Sequence, residues 1–331
     1  MVYGFIIVIR NLFFDIGIFK IRKVNIPVIS IGNITAGGTG KTPIVEYLTR
    51  YLLEQNHKVA VISRGYKRKT KGTIVVSDGK LLIHNASESG DEPLQIASKF
   101  PEAIVIVDEH RYRAAKLAEE KFKCDIILMD DGFQHRKLHR DFDAVVIDVT
   151  KPPDKEGMLP SGLKREQLSS LKRADAIIFS RWNDGKDFEI DKYGFCPLTV
   201  KAQFLPKRLV NFGSGETLDL KSIKGKKVTA FCGIGNPNSF FKTLQEIGVE
   251  ISTKKVFPDH NFYNQNELYL IKHDFLNNKP EMIITTEKDA VRLLEIKDKF
   301  LELPIYYLEI FTHIVEGEKE FLGIINSIKF R

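Results

Sequence analysis

The glycine-rich segment Thr35-Ala36-Gly37-Gly38-Thr39-Gly40-Lys41-Thr42 limits the possible folds of this chain more than any other feature. It follows the apolar run Val28–Ile31, which is typical of a strand, and precedes Ile44–Leu48, which can start a helix. Glycines let a backbone curl until its N–H groups converge on phosphate oxygens, and a helix start adds partial positive charge. In such a loop Lys41 reaches the β- and γ-phosphates and the Thr42 hydroxyl binds Mg²⁺. The order strand, loop, helix therefore predicts an ATP or GTP site rather than a chance Gly-rich turn.

The remainder of the first half alternates strand and helix patterns. Nearly continuous apolar strands between amphipathic helices predict an α/β fold of the P-loop NTPase type, with a mostly parallel sheet and helices on both faces. A smaller α/β unit follows, so we expect an N-terminal helix at 1–24, a core domain at 25–204 and a C-terminal domain at 205–331. The predicted strands are 27–34, 58–63, 73–77, 103–107, 125–129, 144–148, 176–180, 228–231 and 282–285, with β-like runs at 198–204 and 216–219. The predicted helices are 41–55, 91–100, 111–122, 240–247 and one after Asp289.

The first twenty residues predict an interfacial helix. No uninterrupted apolar run there reaches the roughly 18–20 residues that a membrane-spanning helix needs. On a helix one broad face is apolar and lies apart from Arg10 and Asn11, and basic residues follow it, as in helices that lie on membranes. The alternative is a helix packed on the protein's own core. The apolar face comprises Phe5, Ile9, Leu12, Phe13, Ile16 and Phe19, and the basic residues are Lys20, Arg22 and Lys23.

The composition favours an anionic partner. Lys and Arg number 50 against 43 Asp and Glu, a net charge of +7. Nucleic acid, an acidic lipid surface or a phosphorylated substrate would satisfy this excess. No nucleic-acid-binding motif is present, so we expect no nucleic acid partner. Cys124, Cys196 and Cys232 are scattered and form no CxxC pair, which fits a reducing cytosol better than a disulfide framework or a zinc site.

Two acidic residues end the apolar strand that runs to Met129. Asp130 and Asp131 stand where P-loop proteins hold Mg²⁺, and Asp148 is a weaker candidate for the same role. His135 and His139 follow in a loop that begins with glycine. Their spacing permits a zinc site on a helix, a phosphate- or substrate-facing loop, or ordinary surface histidines, and the sequence leaves these open.

Further charged residues stand at loop–helix junctions. Asp91 and Glu92 can cap a helix, act as a catalytic base or contact Mg²⁺. His260, in a loop of the second unit, is a candidate base or a structural histidine. The arginines Arg111, Arg113 and Arg165 can neutralise charge on a transferred phosphate or form solvated surface pairs.

Seven motifs occur in one order along the chain, and together they closely resemble the tetraacyldisaccharide 4'-kinases, the family of lipid A kinases. The similarity runs from the N-terminal apolar segment to about residue 293. The motifs are Gly32–Pro43, Ser63–Tyr66, Gly90–Pro93, Asp130–Arg136, Leu159–Gly162 with Arg165 and Glu166, Phe257–His260 and Thr286–Val291.

The resemblance implies a reaction and its partners. The ATP γ-phosphate would pass, with Mg²⁺, to the 4'-hydroxyl of tetraacyldisaccharide 1-phosphate and give lipid IVA. The chain would attach through its N-terminal segment to the cytoplasmic face of the inner membrane of a Gram-negative bacterium, with no obligate protein partner. Thr35 stands where the general phosphate-loop pattern has glycine, and the resemblance makes that residue ordinary.

The resemblance also implies roles for single residues. Asp91 is the base that activates the sugar hydroxyl, and His260 is its partner across the domain cleft. The other assignments are Asp130 and Asp131 for Mg²⁺ and the phosphoryl centre, Glu92 and Glu166 as further metal ligands, Arg111 and Arg165 for charge on the transferred phosphate, and Ser63, Arg64, Tyr66 and His135 for the acceptor side.

Two other classes of protein compete with this reading. A membrane-associated partitioning ATPase switch has a similar phosphate loop, but it carries a signature Lys where this chain has Ala36. A nucleotide-dependent scaffold without chemistry predicts that Asp91→Ala leaves function intact. The polar cluster Thr286–Asp289 receives no role from the sequence beyond helix capping or contacts between the domains.

Overall fold

One continuous sheet carries both halves of the chain in the computed structural model, which describes residues 2–182, 198–299 and 302–328. Over these residues the sheet has thirteen strands. They are β1 (Val28–Gly32), β2 (Val59–Ser63), β3 (Ile74–Asp78), β4 (Ile104–Val107), β5 (Ile126–Asp130), β6 (Phe142–Asp148), β7 (Ala176–Ser180), β8 (Leu198–Asn211), β9 (Thr217–Leu218), β10 (Lys227–Cys232), β11 (Glu250–Val256), β12 (Met282–Thr286) and β13 (Ile305–Glu316). Their spatial order is β11-β10-β12-β13-β8-β7-β6-β1-β5-β2-β4-β3, and β9 pairs with β8.

The helices cover this sheet and connect its strands. The α-helices of the described residues are α1 (Val2–Asp15), α2 (Lys41–Glu54), α3 (Ala86–Ser89), α4 (Asp91–Lys99), α5 (Arg111–Glu120), α6 (Pro237–Ile247), α7 (Gln265–Asn278), α8 (Glu287–Leu293) and α9 (Glu318–Ser327). Short 3₁₀ turns occupy Pro153–Lys155, Leu168–Arg173, Leu220–Ile223 and Leu294–Lys299.

The first half of the sheet confirms the predicted α/β class. β1 lies between β5 and β6, and both pairings are parallel. Every residue of β1, β2, β4, β5, β6 and β7 is buried, as expected for strands covered on both faces. One face packs against α2 through Ile44 and Leu48, and the other packs against the alanines of α5. The parallel arrangement brings the carboxyl ends of β1 and β5 to one edge.

The second half joins the first through two long strands. β13 pairs with β8 in antiparallel orientation, while β10, β11 and β12 form a parallel group beyond it. The predicted domain boundary at residue 205 therefore falls inside β8. α9 returns to the first half, where Phe321 and Ile325 are buried in its core. β11, α7, β13 and α9 are not predicted from the sequence, and the division into domains remains a prediction.

The N-terminal helix is shorter than the predicted segment 1–24. α1 ends at Asp15, and Arg22 then forms an isolated bridge with Leu138 beside the loop after β5. None of the described helices combines the length and apolar character needed to cross a membrane.

Candidate active site

The phosphate cradle lies at the carboxyl edge of β1. Its neighbours hold it: Ser180 Oγ donates to the Thr39 carbonyl at 2.7 Å, and Asn33 Nδ2 donates to Thr39 Oγ1 at 3.0 Å. Gly40 has φ +90°, and a Cβ there would lie 2.3 Å from the Phe204 ring. Only glycine fits this position. α2 then begins at Lys41, so the partial positive charge of its N-terminus meets the loop.

The start of the predicted cradle pairs with a second loop. Thr35 bridges to Lys164, and the Ala36 N–H donates to the Leu163 carbonyl at 2.7 Å. The Ala36 N–H is therefore engaged within the protein. The turn from Gly37 to Thr42 forms the open part of the loop, with Gly37 also in the left-handed region at φ +105°.

Asp130 is the carboxylate best suited to a cation. It is 1% exposed, and neither carboxylate oxygen accepts a hydrogen bond from any described residue. Burial raises its pKa to about 7, and the negative charge of Glu92 adds to this while Lys41 opposes it. A buried acid without a donor is costly unless a positive ligand binds it, so the residues present fit Mg²⁺.

Asp131 faces the cationic side of the cradle. Arg165 Nη1 lies 2.9 Å from both of its carboxylate oxygens, and Lys41 Nζ lies 3.4 Å from one of them. Burial alone would raise the pKa of Asp131, but the charges of Lys41 and Arg165 lower it to about 2. The alternative acid Asp148 is held by Arg181 and by Thr150. Of the two strand ends, the one carrying Asp130 and Asp131 therefore suits a metal better.

The other predicted metal ligands are held by protein partners. Glu92 accepts from Lys288 Nζ at 3.0 Å, and Glu166 accepts from Arg173 at 2.9 Å. Within the described part of the chain no three His, Cys, Asp or Glu side chains converge on a metal position. Mg²⁺ commonly takes one or two carboxylates and fills its shell with water and phosphate oxygens. The set Thr42, Asp131, Glu92 and Glu166 remains a prediction.

Asp91 joins the two halves of the protein. It begins α4, is 4% exposed, and its Oδ2 lies 2.9 Å from His260 Nδ1. Arg292 reaches the same oxygen through Nε at 2.9 Å and also through Nη2. Burial raises the pKa of Asp91, but the His260 hydrogen bond and the charges of Lys288 and Arg292 outweigh it and hold the pKa well below its ordinary value. The predicted pairing of Asp91 with His260 is thus present in the structure.

Lys288 and Arg292 are not predicted as site residues by the sequence: the polar cluster at 286–289 includes Lys288 but gives it no role, and nothing singles out Arg292. Thr286 caps α8, which aims both cations at the Asp91 region. Asp289 is fully buried, accepts from the Gly233 N–H and pairs with Arg292 at 2.9 Å. The cluster therefore orients Arg292 towards Asp91.

Arg111 and His135 lie near the acidic pair. Arg111 is 3% exposed, and burial lowers its pKa to about 10 although Asp131 and Asp130 oppose this. Burial and the charge of Arg111 lower the pKa of His135 to about 3. His139 Nε2 lies 3.5 Å from Asp141, and in the described part of the chain neither histidine belongs to a group of three His, Cys, Asp or Glu side chains that could hold a metal.

Of the predicted acceptor residues, Tyr66 lies against His260. The Tyr66 ring is 57% exposed and stands edge-on to the His260 ring, with 5.2 Å between centroids. Arg64 is exposed, and Ser63 accepts a long hydrogen bond from the Gly65 N–H. Arg113 pairs with Asp108 at 2.7 Å.

Comparison with known proteins decides the family. The family of tetraacyldisaccharide-1-P 4'-kinases (LpxK) matches residues 1–328. The chain belongs to this family. The tetraacyldisaccharide 4'-kinase of Chlorobium limicola is 36% identical over 339 residues, covering 99% of this chain and 95% of that protein. The enzyme of the same name from Geobacter metallireducens is 37% identical, covering 88% of this chain and 86% of that protein.

A solved structure of the family shares the fold. It is a crystal structure of LpxK from Aquifex aeolicus in complex with ATP, 33% identical, with a TM-score of 0.82, covering 100% of this chain and 96% of that chain. The resemblance, the fold class and the class of ATP-dependent kinase that the motifs predict are confirmed by these matches. The partitioning ATPase is not favoured.

Proposed function

We propose that this chain transfers the γ-phosphate of ATP to the 4'-hydroxyl of tetraacyldisaccharide 1-phosphate and releases ADP and lipid IVA. Family membership supports this reaction. The observation that carries it is Asp91, a buried carboxylate held across the two halves of the protein by His260 and Arg292. The negative charge of Glu92, the residue after Asp91, contributes to raising the pKa of Asp130, and this supports a base close to the predicted phosphoryl centre.

The nucleotide would bind over the N-terminus of α2. Lys41 and the N–H groups of the loop would hold the β- and γ-phosphates, and the Thr42 hydroxyl with Asp130 and Asp131 would hold Mg²⁺. When bound, Mg²⁺ supplies positive charge that neutralises the phosphate oxygens. Lys41 Nζ lies 3.4 Å from an Asp131 carboxylate oxygen. When ATP binds, the Lys41 ammonium would also contact the phosphate oxygens.

Asp91 would receive the proton of the acceptor hydroxyl. Its Oδ2 is occupied by His260 and Arg292, whereas its Oδ1 accepts only the Glu92 N–H among the described residues, at 3.0 Å. The bond from the sugar oxygen to the γ-phosphorus forms, the bond from the γ-phosphorus to the bridging oxygen breaks, and the proton passes to Oδ1. Because the transition state of phosphoryl transfer is loose, an ionised and well-oriented carboxylate suffices even with a low pKa.

The arginines would stabilise charge on the transferred group. Arg111 and Arg165 surround the acidic pair, and Arg165 is already turned towards Asp131. On the acceptor side we place Ser63, Arg64, Tyr66 and His135, with the exposed Tyr66 ring against His260. Closure of the second half over the cradle would exclude water and limit ATP hydrolysis.

We also propose that the chain works on the cytoplasmic face of the inner membrane. Phe5, Ile6 and Leu12 on α1 are each at least half exposed, at 67%, 55% and 50%. A contiguous apolar patch of this kind on a protein surface marks an interaction site. Lys20 and Lys23 follow α1 in the sequence, are exposed, and would meet acidic headgroups.

The test is product formation. ATP labelled in its γ-phosphate is incubated with tetraacyldisaccharide 1-phosphate in detergent micelles, and the position of the new phosphate is read by phosphorus NMR. Phosphate at the 4'-oxygen, with a loss of roughly 10²-fold or more in Lys41→Ala, supports the proposal. ATP hydrolysis without a phosphorylated lipid refutes it.

A further inference from the structure

The N-terminal helix α1 exposes apolar side chains and turns two polar ones towards the protein, unlike an ordinary surface helix. A surface helix usually turns its apolar stripe to the core and its polar residues to water. Here Phe5 and Leu12 point outward, at 67% and 50% exposed, while Arg10 and Asn11 form hydrogen bonds with residues more than a hundred positions along the chain. A lipid surface accounts for the apolar outer face, but it does not account for polar contacts on the inner face.

The inner face of α1 holds the loop that follows Asp131. Arg10 donates to the Gln134 carbonyl, and Arg136 Nη1 donates to the Asn11 carbonyl at 3.0 Å. Gln134 in turn donates from Nε2 to the carbonyl of Asn33, two residues before the phosphate cradle, at 2.7 Å. The helix is thereby connected to the cradle through Gln134 and Asn33, whose Nδ2 donates to Thr39 Oγ1.

The second contact of the inner face is with Glu166. Asn11 Nδ2 donates to Glu166 Oε2 at 2.7 Å, and Arg173 Nη2 donates to the same oxygen at 2.9 Å. Glu166 is fully buried, and within the described part of the chain its Oε1 has no hydrogen-bond partner. The backbone N–H of Arg165 donates to the Ile34 carbonyl at 2.7 Å, which fixes this segment against the strand that leads into the cradle. One carboxylate oxygen is therefore held by two donors while the other stays free.

We propose that Asn11 is a positioning residue of the phosphoryl-transfer site, and that its amide fixes the Glu166 carboxylate so that Oε1 stays available to Mg²⁺, directly or through a bound water. Helix α1 is then part of the active-site scaffold as well as the lipid-facing element. The inference rests on the proposed function, because it takes Glu166 as a group that acts on the metal. Outer partners of metal ligands commonly change metal affinity by about 10–100-fold when removed.

The chemistry of the contact makes the role of the amide specific. Asn11→Ala removes one donor and leaves Arg173 as the remaining donor to Oε2 among the described residues, so the buried carboxylate can turn. Asn11→Asp keeps the shape but places a carboxylate oxygen 2.7 Å from Glu166, where like charges repel. The outer apolar face is unchanged in both variants, so attachment to a lipid surface should persist.

The experiment measures Mg²⁺-dependent ATP binding without any acceptor, using a fluorescent ATP analogue and a titration of MgCl₂. We expect the half-saturating Mg²⁺ concentration to rise about 10-fold in Asn11→Ala and further in Asn11→Asp. Both Asn11 variants should sediment with vesicles of phosphatidylethanolamine and phosphatidylglycerol to the same extent as wild type. The matched control is Asn326→Ala, which removes an amide that donates to the Tyr51 hydroxyl at 2.7 Å on α9, and it should leave the Mg²⁺ titration unchanged.

The inference is overturned if both Asn11 variants, with wild-type melting temperatures, bind Mg²⁺ and ATP like Asn326→Ala. If Asn11→Ala does not fold, Asn11→Ser is used in its place, since it keeps a small polar side chain. Failure of the proposed function has a different signature, because wild type would then bind ATP with Mg²⁺ but give no phosphorylated lipid.

Discussion

The contact between Arg292 and Asp91 gives the sharpest prediction about what holds the two halves together. Both side chains are almost fully buried, at 2% and 4% exposed, and they come from positions 201 residues apart. Arg292→Met replaces the guanidinium by an apolar chain of similar length. Breaking a buried ion pair by removing one partner costs about 3–5 kcal/mol, because the other charge stays buried. Lys288 at 3.7 Å and His260 at 2.9 Å remain beside Asp91, so we expect the lower end of that range.

This loss converts to a measurable change in melting temperature. At about 2.1 cal/mol/K per residue, unfolding a chain of 331 residues gains roughly 0.7 kcal/mol/K, so about 3 kcal/mol lowers the melting temperature by roughly 4 °C. Differential scanning calorimetry at neutral pH measures it. The control is Lys242→Met, which breaks a pair with Glu246 whose two side chains are 74% and 62% exposed. That change should cost below about 1 kcal/mol.

A second background separates the Asp91 ion pair from the other contacts of Arg292, which also donates to the Gly233 carbonyl at 2.6 Å and pairs with Asp289 at 2.9 Å. In Asp91→Asn the carboxylate charge is gone, so Arg292→Met should destabilise that background less than it destabilises wild type. The reasoning fails if Arg292→Met melts like Lys242→Met, or if its effect is the same in both backgrounds.

Three further changes have expected outcomes. Gly40→Ala should reduce ATP affinity by at least about 10-fold in equilibrium dialysis, because φ +90° and the Phe204 ring both exclude a Cβ; wild-type affinity would contradict the described loop. Burial lowers the pKa of His135 to about 3 in the folded protein, whereas in the unfolded chain its pKa is about 6.5. On acidification the unfolded chain therefore binds a proton at His135 first, and native stability falls as the pH drops from 6.5 towards 3. At pH 5 the loss of stability amounts to at most about 2 kcal/mol. His135→Gln should therefore flatten the dependence of melting temperature on pH between 6.5 and 5. An unchanged slope would mean that other groups cause the acid sensitivity. Leu12→Asn, on the exposed side of α1, should reduce sedimentation with anionic vesicles, and full retention would contradict the proposed membrane contact.

The cradle and its acidic neighbours could be predicted because their signal is local. The strand, the glycines and Lys41 are adjacent in sequence, and parallel pairing of β1 with β5 brings Asp130 level with Ile31. A hydrophobic pattern likewise separates the two faces of α1. It does not say which face meets the protein, and the structure turns Arg10 and Asn11 inward because they find partners in the loop after β5.

The Asp91 contacts show where sequence reasoning ends. His260 lies 169 residues from Asp91, and only the family resemblance paired them. Arg292 had no such signal, because a single arginine on a helix looks like any surface cation until tertiary packing buries it. The long pairing of β13 with β8 could not be predicted either, since neither strand is continuous apolar sequence and their contact depends on the path of the chain between them.

The central claim is that Asp91 accepts the proton of the acceptor hydroxyl at a phosphoryl-transfer site. Single-turnover transfer from labelled ATP to tetraacyldisaccharide 1-phosphate in micelles tests it most directly, with wild type compared with Asp91→Asn and with ATP affinity measured on the same samples. We expect Asp91→Asn to bind ATP with near wild-type affinity and to transfer phosphate at least about 10²-fold more slowly. Transfer at the wild-type rate by a folded, ATP-binding Asp91→Asn would contradict the account.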